Sequence, residues 1–270
     1  MRKSILIISI ILTSNSLFCQ FFEETNKIDT IFQPNREPFN SINWQEAYRN
    51  RNPIILRGDY SPSSTSVFLN KNFILTAAHN VHTNFLSRID WLNIQVGKYK
   101  QSYRVEGIEI NGRKKFTELK RVPKNYSFAK KPAKRIDWDF ALIYIPDELL
   151  SEEFKSKWKK SFYLDKQYKL KKGDSIYIAG YPAGKTATNS DKYDGDYMIY
   201  QKGIVSQINQ KHFYHNFYTE KGSSGSPIWV INESRRIIVG IHTFPNKATM
   251  LDNSSISLIE QWIALFEKEN

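Results

Sequence analysis

Short apolar segments of four to six residues recur along most of the chain, and polar turn residues separate them, a pattern typical of β-strands. The segments with this pattern are Ser66–Leu69, Phe73–Thr76, Trp91–Val96, Phe140–Ile145, Ser175–Ala179, Pro227–Val230 and Ile237–Ile241. Residues 70–72, between the first two segments, predict a hairpin turn. Because such segments greatly outnumber helical ones, the pattern predicts a β-barrel architecture.

The end of the chain has a different periodicity. Apolar side chains recur there every three or four residues, at Ile256, Ile259, Trp262, Ile263 and Phe266. This spacing predicts an amphipathic helix that packs one face on the barrel. Ser254 or Ser255 is expected to cap its N-terminus.

The first residues are typical of a secretory signal: Arg2 and Lys3 precede a short apolar run over residues 5–12. A membrane-spanning helix needs about 20 apolar residues, so this run is too short to be one. We predict a signal peptide over residues 1–19, a secreted or periplasmic protein, and no membrane association after cleavage. Acylation of Cys19 is an alternative, which the bulky Phe18 before it disfavours.

The composition supports a packed domain without cross-links. Hydrophobic residues make up 40% and aromatic residues 14% of the chain, enough for a sizeable core. Cys19 is the only cysteine, so a chain cleaved there has neither a disulfide nor a cysteine metal site. The net charge of +12 favours anionic partners. Because the basic residues are scattered and match no nucleic-acid-binding motif, we expect acidic peptides rather than nucleic acid.

Three short segments carry residues that together can activate a nucleophile. In chain order they are Thr76-Ala77-Ala78-His79, Asp137-Trp138-Asp139-Phe140-Ala141-Leu142 and Gly222-Ser223-Ser224-Gly225-Ser226-Pro227. Taken singly, the histidine could be a core or capping residue and the glycine-serine segment a flexible loop. Their occurrence together, in this order, predicts an active site.

The chemistry assigns a role to each residue. A serine hydroxyl is a weak nucleophile at neutral pH, so Ser224 needs a base, and His79 can supply one. Asp139 would hold the imidazole in the right tautomer and stabilise its cation. Gly222 and Gly225 permit the turn that aims the N–H groups of Gly222 and Ser224 at one point, an oxyanion hole. Asp137 competes for the third role, since strand alternation would give it the same facing as Asp139.

Together these segments resemble the motifs of the trypsin-like (chymotrypsin-fold) serine proteases. Gly180-Tyr181-Pro182 and Val239-Gly240-Ile241-His242 add a resemblance to the bacterial glutamyl endopeptidases. The similarity runs from about Ile31 to the C-terminal helix. It implies an all-β fold of two six-stranded antiparallel β-barrels with a C-terminal helix and the triad in the cleft between the barrels. It also implies a serine endopeptidase, which we expect to be a monomer without metal or cofactor.

The resemblance also implies a substrate specificity and a site of propeptide removal. In glutamyl endopeptidases, a threonine five positions before the nucleophile and the histidine of Gly-Ile-His line the primary pocket, which implies these roles for Thr219 and His242. Tyr218 stands where cleavage after Arg or Lys would require an acid. The distance from His79 back to Ile31 resembles that family's mature start. Residues 20–30 are therefore a predicted propeptide, and residues 31–270 are the predicted protease domain.

Several alternatives stay open at this stage. The enzyme could accept small or apolar side chains, or the chain could be an inactive protease-like module that only binds. His212 and His215 could form a metal site, although Glu220 is the only carboxylate near them in sequence. The basic segment 98–135 does not align with the family and is interpreted as a surface insertion near the cleft.

Overall fold

The computed structural model describes residues 64–82, 119–127, 132–150, 162–182 and 199–269, a few single positions between 152 and 160, and the backbone of shorter strands before residue 116. The predicted signal peptide (residues 1–19), including Cys19, the predicted propeptide (20–30) and the predicted mature start at Ile31 lie outside the described residues.

The described elements are mainly strands. In chain order the strands are β1 (Trp44–Glu46), β2 (Ile55–Gly58), β3 (Ser64–Phe68), β4 (Phe73–Thr76), β5 (Trp91–Gln95), β6 (Ser102–Glu106), β7 (Ile108–Ile110), β8 (Arg113–Lys115), β9 (Lys120–Arg121), β10 (Ala141–Tyr144), β11 (Phe162–Tyr163), β12 (Ser175–Gly180), β13 (Ile199–Ile208), β14 (His212–His215), β15 (Pro227–Asn232), β16 (Arg235–Phe244) and β17 (Lys247–Met250). The α-helices are α1 (Ala78–Val81), α2 (Lys124–Ser127), α3 (Pro132–Arg135) and α4 (Asn253–Glu269).

The second half of the chain closes into an antiparallel barrel. Six strands pair in the order β13-β12-β15-β16-β17-β14, and pairing of β13 with β14 closes the ring. Two short strands extend this sheet: β1 pairs with β13, and β11 pairs with β16. Along β14, Phe213 and His215 are buried and alternate with half-buried neighbours, as expected for a strand with one face to the core. The interior is apolar and includes Ile176, Phe213, Phe217, Ile228 and Ile237.

The first half forms a seven-stranded sheet in the order β6-β5-β2-β3-β4-β10-β9. Strands β3 and β4 are buried along their whole length, although β3 begins with the polar residues Ser64, Thr65 and Ser66. The basic segment 98–135 is not simply a surface insertion, because it supplies two strands of this sheet, β6 and β9. It also contains the separate hairpin β7–β8.

The predicted hairpin turn joins β3 to β4, and an asparagine side chain stabilises it. The Asn70 side-chain oxygen accepts hydrogen bonds from the backbone N–H groups of Asn72 and Phe73, each at 2.9 Å. This local bonding is the reason asparagine favours turns.

The C-terminal helix α4 packs against the first sheet. Its apolar face is buried at Ile256, Ile259, Trp262 and Phe266. The Trp262 ring lies 5.8 Å from that of Phe140, and the Phe266 ring stacks on Tyr144 at 5.1 Å. Two barrels with a C-terminal helix are the predicted fold, and that prediction is confirmed.

The predicted cap of this helix is wrong. Asp252, rather than Ser254 or Ser255, occupies the N-cap, because its carboxylate accepts the N–H of Ser255 at 2.9 Å and its carbonyl accepts the N–H of Ile256. Burial alone would raise the pKa of Asp252, but hydrogen bonds from Lys211, the Ser255 N–H and Ser254 lower it to about 2. None of the described helices is long and apolar enough to cross a membrane.

Candidate active site

His79 and Asp139 form a two-point contact. The His79 Nδ1 lies 2.7 Å from Asp139 Oδ2, and the backbone N–H of His79 donates to Asp139 Oδ1 at 2.9 Å. The two residues are close because β4 and β10 pair with each other, and His79 follows the end of β4 while Asp139 precedes the start of β10. The carboxylate is buried, whereas 34% of the histidine side chain is exposed. With Nδ1 bound to the carboxylate, Nε2 is the ring nitrogen that remains for another contact.

Asp137 points to a different partner. Residues Ile136–Trp138 form a 3₁₀ turn rather than a strand, so the expected equal facing of Asp137 and Asp139 is wrong. Asp137 Oδ1 instead lies 2.7 Å from Nδ1 of His212 on β14. The two competing carboxylates therefore contact two different histidines.

The loop from Lys221 to Ser226 carries Ser224 and depends on two glycines. Gly222 and Gly225 have φ values of 91° and 89°, a conformation that side-chain-bearing residues rarely adopt. A Cβ atom on Gly225 would lie 2.0 Å from the carbonyl oxygen of Thr65. The Ser224 hydroxyl is half-buried and makes a long contact of 3.5 Å with the carbonyl oxygen of Thr243.

From Gly222 to Ser226, the N–H groups of Gly222 and Ser224 have no acceptor among the described residues. The neighbouring N–H groups are satisfied: Ser223 donates to Glu220, Gly225 to His242 and Ser226 to Ser223, at 2.8–3.1 Å. Unpaired backbone donors beside a nucleophile are the components of an oxyanion hole.

Side chains next to His79 connect its segment to the loop of residues 221–226, called the serine loop below. The Asn80 amide donates to the carbonyl oxygen of Ser224 at 3.0 Å. The Phe244 ring, one residue after the Thr243 carbonyl that Ser224 contacts, lies 6.1 Å from the His79 ring. His79, Asp139 and the loop of Ser224 thus converge at the junction of the two barrels.

His242 lies beside this loop and is paired with a second histidine. Its backbone bonds to Gly225 and Ser226, and its Nδ1 lies 3.1 Å from Nε2 of His215. The N–H of Phe217 donates to Nδ1 of His215 at 3.3 Å, which favours the His215 tautomer with its proton on Nε2, facing Nδ1 of His242. In that tautomer His215 donates to His242, and the proton of a neutral His242 is on its Nε2.

Both rings are neutral because they are buried. Burial lowers the pKa of His215 to about 3, against an opposing hydrogen bond to the carbonyl of Lys247. Burial also lowers the pKa of His242 well below its usual range, and the neighbouring His215 and His79 lower it further.

Thr219 lies in a small pocket next to the serine loop. The pocket is lined by Ile178, Gly180, Pro182, Gln201, Tyr218, Thr219, Ser223 and Ser226. His242 is not part of that lining. Thr219 thus shares a pocket with Ser223 and Ser226, and the backbone of His242 bonds to Gly225 and Ser226, so both predicted specificity residues adjoin the loop of Ser224.

Some neighbours of the site were not selected from the sequence. Asn80 directly follows His79 and could have been noticed for that reason, whereas Thr65 and the pairing role of His215 carry no local signal. His212 and His215 have separate partners, and no group of three or more potential ligands for a metal ion occurs among the described residues.

Comparison with known proteins agrees with this geometry. The family model of the trypsin-like peptidase domain matches residues 64–241, about two thirds of the chain. A solved structure of a Glu endopeptidase in complex with MPD is similar with a TM-score of 0.57 and 18% identity, over 82% of this chain and 96% of that one. An inactivated protease paralogue of the scabies mite, S-I1, is similar with a TM-score of 0.55 and 14% identity, over 82% of this chain and 98% of that one.

No curated protein matches the sequence significantly. The match to the family model nevertheless spans all three motif segments, and it also includes Gly240 and Ile241 but ends before His242. The chain therefore belongs to the family of trypsin-like peptidase domains.

Proposed function

We propose that the protein is a secreted serine endopeptidase with His79, Asp139 and Ser224 as its catalytic triad. The observation that carries this proposal is the two-point contact of His79 with the buried carboxylate of Asp139, next to the loop in which the N–H groups of Gly222 and Ser224 lack an acceptor among the described residues. Asp139 fixes the imidazole with its proton on Nδ1, so Nε2 is available to deprotonate Ser224.

The proposed reaction follows from this arrangement. Ser224 Oγ attacks the peptide carbonyl carbon while His79 takes the hydroxyl proton, and the carbonyl oxygen becomes an oxyanion bound by the N–H groups of Gly222 and Ser224. His79 then gives the proton to the leaving amine, and water hydrolyses the acyl-enzyme by the same steps. The long contact between Ser224 and Thr243 is weak, so the hydroxyl can turn to His79 when substrate binds.

The alternative of an inactive binding module cannot be judged from the fold, because an inactivated paralogue shares it. The filled triad positions favour an enzyme. A fluorophosphonate probe should label the wild-type protein at Ser224 and should not label Ser224→Ala. An unlabelled, folded wild-type protein that hydrolyses no peptide would support the binding module instead.

We further propose that cleavage occurs after glutamate. A substrate carboxylate that enters a buried pocket must replace its lost water by hydrogen bonds from the protein. Thr219 can donate its hydroxyl proton, and His242, held by His215 with its proton on Nε2, can donate a neutral N–H. An apolar side chain would leave these donors unpaired at about 1–3 kcal/mol each. The net positive charge adds a general attraction for acidic substrates.

His242→Ala tests this specificity. We expect it to reduce the ratio of kcat/KM for Glu over Ala substrates at least about tenfold, or ~1.4 kcal/mol, because one donor is lost. The measurement is a mass-spectrometric cleavage profile on a peptide library followed by kinetics on matched peptides. His212→Ala is the control, since His212 pairs with Asp137 and should not change the ratio. A wild-type profile without Glu bias, or an unchanged ratio in His242→Ala, would refute glutamate specificity and leave the triad untouched.

Maturation is the last part of the proposal. We expect secretion with loss of residues 1–19, followed by removal of residues 20–30 on activation. The new α-ammonium group of Ile31 would then be available to contribute positive charge near a substrate carboxylate. N-terminal sequencing of active enzyme is expected to begin at about Ile31. Full activity of a chain that begins at Gln20 would contradict the prosegment.

A further inference from the structure

Thr65 contacts the serine loop at several points although it lies on the other barrel. It is completely buried on β3, and its hydroxyl donates to the carbonyl oxygen of Gly222 at 2.8 Å. The same hydroxyl accepts the N–H of Tyr181 at 2.9 Å, and the Thr65 N–H donates to the carbonyl oxygen of Ser224 at 2.9 Å. Thr65 thereby connects β3 to the serine loop and to Tyr181, the residue that follows β12.

These bonds fix two of the loop's peptide units. The bond to the Gly222 carbonyl holds the peptide between Gly222 and Ser223, and the bond to the Ser224 carbonyl holds the peptide between Ser224 and Gly225. The peptide that carries the Ser224 N–H lies between these two. Because peptide units are rigid planes, fixing both neighbours leaves the Ser224 N–H little freedom to turn.

Further hydrogen bonds link Thr65 to the residues around it. Its carbonyl oxygen accepts the Thr76 hydroxyl at 2.8 Å, and Thr76 in turn accepts the amide of Asn80 at 3.0 Å. The same amide bonds to the Ser224 carbonyl at 3.0 Å, which closes the network beside His79. The carbonyl of Thr65 also occupies the space that a side chain on Gly225 would need.

We infer that Thr65 is a positioning residue for the oxyanion hole: its hydroxyl holds the Gly222 carbonyl and thereby keeps the Ser224 N–H, which has no acceptor among the described residues, directed to the reacting carbonyl. The inference rests on the proposed peptidase function. Thr65 acts through the loop and does not touch the substrate. Its removal should weaken binding of the tetrahedral state more than binding of the substrate.

Thr65→Val removes the hydroxyl and keeps the side-chain shape. Loss of one oxyanion-hole donor costs about 10²–10³ in kcat, and for an indirect effect we expect a decrease in kcat of about 10–100-fold with KM within about twofold. Affinity for a peptidyl boronate, which forms a tetrahedral adduct, should fall in parallel, while affinity for a product peptide should not. Thr65→Ser keeps the hydroxyl and should restore most of the kcat.

Ser66→Ala is the matched control. Ser66 is the next residue of β3, and its buried hydroxyl has no hydrogen-bond partner in the part of the chain that the structure describes, so its removal should change neither kcat nor boronate affinity. All rates are divided by the concentration of enzyme that a fluorophosphonate titrates, so loss of folded protein is not counted as loss of kcat. A kcat per titrated site in Thr65→Val within twofold of wild type would overturn the inference.

A crystal structure of Thr65→Val separates this inference from the proposed function. We expect the Gly222 peptide to turn in the variant. An unmoved Gly222 carbonyl would overturn the role of Thr65 whatever the activity. If the wild type neither cleaves peptides nor reacts with the probe, the proposed function fails, and a turned peptide in the variant would still support Thr65 as the residue that sets the loop geometry.

Discussion

Asp139→Asn is expected to lower kcat by about 10⁴-fold, with the fold retained. An asparagine at this position can present its NH₂ group to Nδ1 of His79, which favours the tautomer with the proton on Nε2. That nitrogen could then no longer accept the Ser224 proton. Ser224→Ala and His79→Ala should each cause a loss at least as large. Steady-state kinetics on a good peptide substrate, with circular dichroism to check folding, measures all three effects.

Asp137→Asn is the matched control for this prediction, since the two carboxylates are two residues apart and contact different histidines. We expect its kcat to stay within about tenfold of wild type, because it changes only the contact with His212. Full activity of Asp139→Asn together with inactivity of Asp137→Asn would show that the acid assignment is wrong.

The second large effect is a loss of stability in mild acid, caused by the buried pair His215 and His242. Burial lowers both pKa values in the folded state, that of His215 to about 3, whereas an unfolded histidine has a pKa of about 6.5. Below pH 6.5 the unfolded chain therefore binds more protons, and acid favours unfolding. We expect the free energy of unfolding to fall by ~2 kcal/mol per histidine between pH 7.5 and pH 5. Urea denaturation at a series of pH values measures it.

His215→Gln isolates the contribution of one ring. Glutamine can still donate an N–H toward His242 but does not titrate, so stability at pH 7.5 should change little. The dependence on pH should become shallower by ~2 kcal/mol over the same interval. An unchanged dependence would mean that the pair does not control acid stability.

Local sequence patterns were sufficient to predict most of the well-described strands and to select the site residues. Strand β4 coincides with the predicted segment Phe73–Thr76, because an apolar run of this length between turn residues suits a buried strand. His79, Asp139 and Ser224 could be selected because each lies in a short motif with its own chemical reason. Their catalytic roles remain predictions, although the structure brings the first two into contact.

Features that depend on distant parts of the chain were not predictable. Thr65 and Gly222 are 157 positions apart, and their bond exists only because the two barrels dock. A strand was expected at Ile136–Trp138, but the structure has a 3₁₀ turn there, and Asp137 contacts His212. The two expected caps, Ser254 and Ser255, lie inside α4, and the bonds to Lys211 and Ser254 stabilise the charged carboxylate of Asp252 at the N-cap.

The position of α4 has a consequence for the order in which the enzyme is made. The helix contains the last described residues of the chain, yet Trp262 and Phe266 complete the core under Phe140, the neighbour of Asp139, and Phe73 on β4. During synthesis these two rings follow every strand of the first sheet, and the whole second barrel lies between them and that sheet in the chain. The core of the first sheet beside Asp139 can therefore be completed only after the second barrel has been synthesised. The proposed active site is thus expected to form late in folding, and deletion of α4 should disrupt it although no residue of the helix belongs to it.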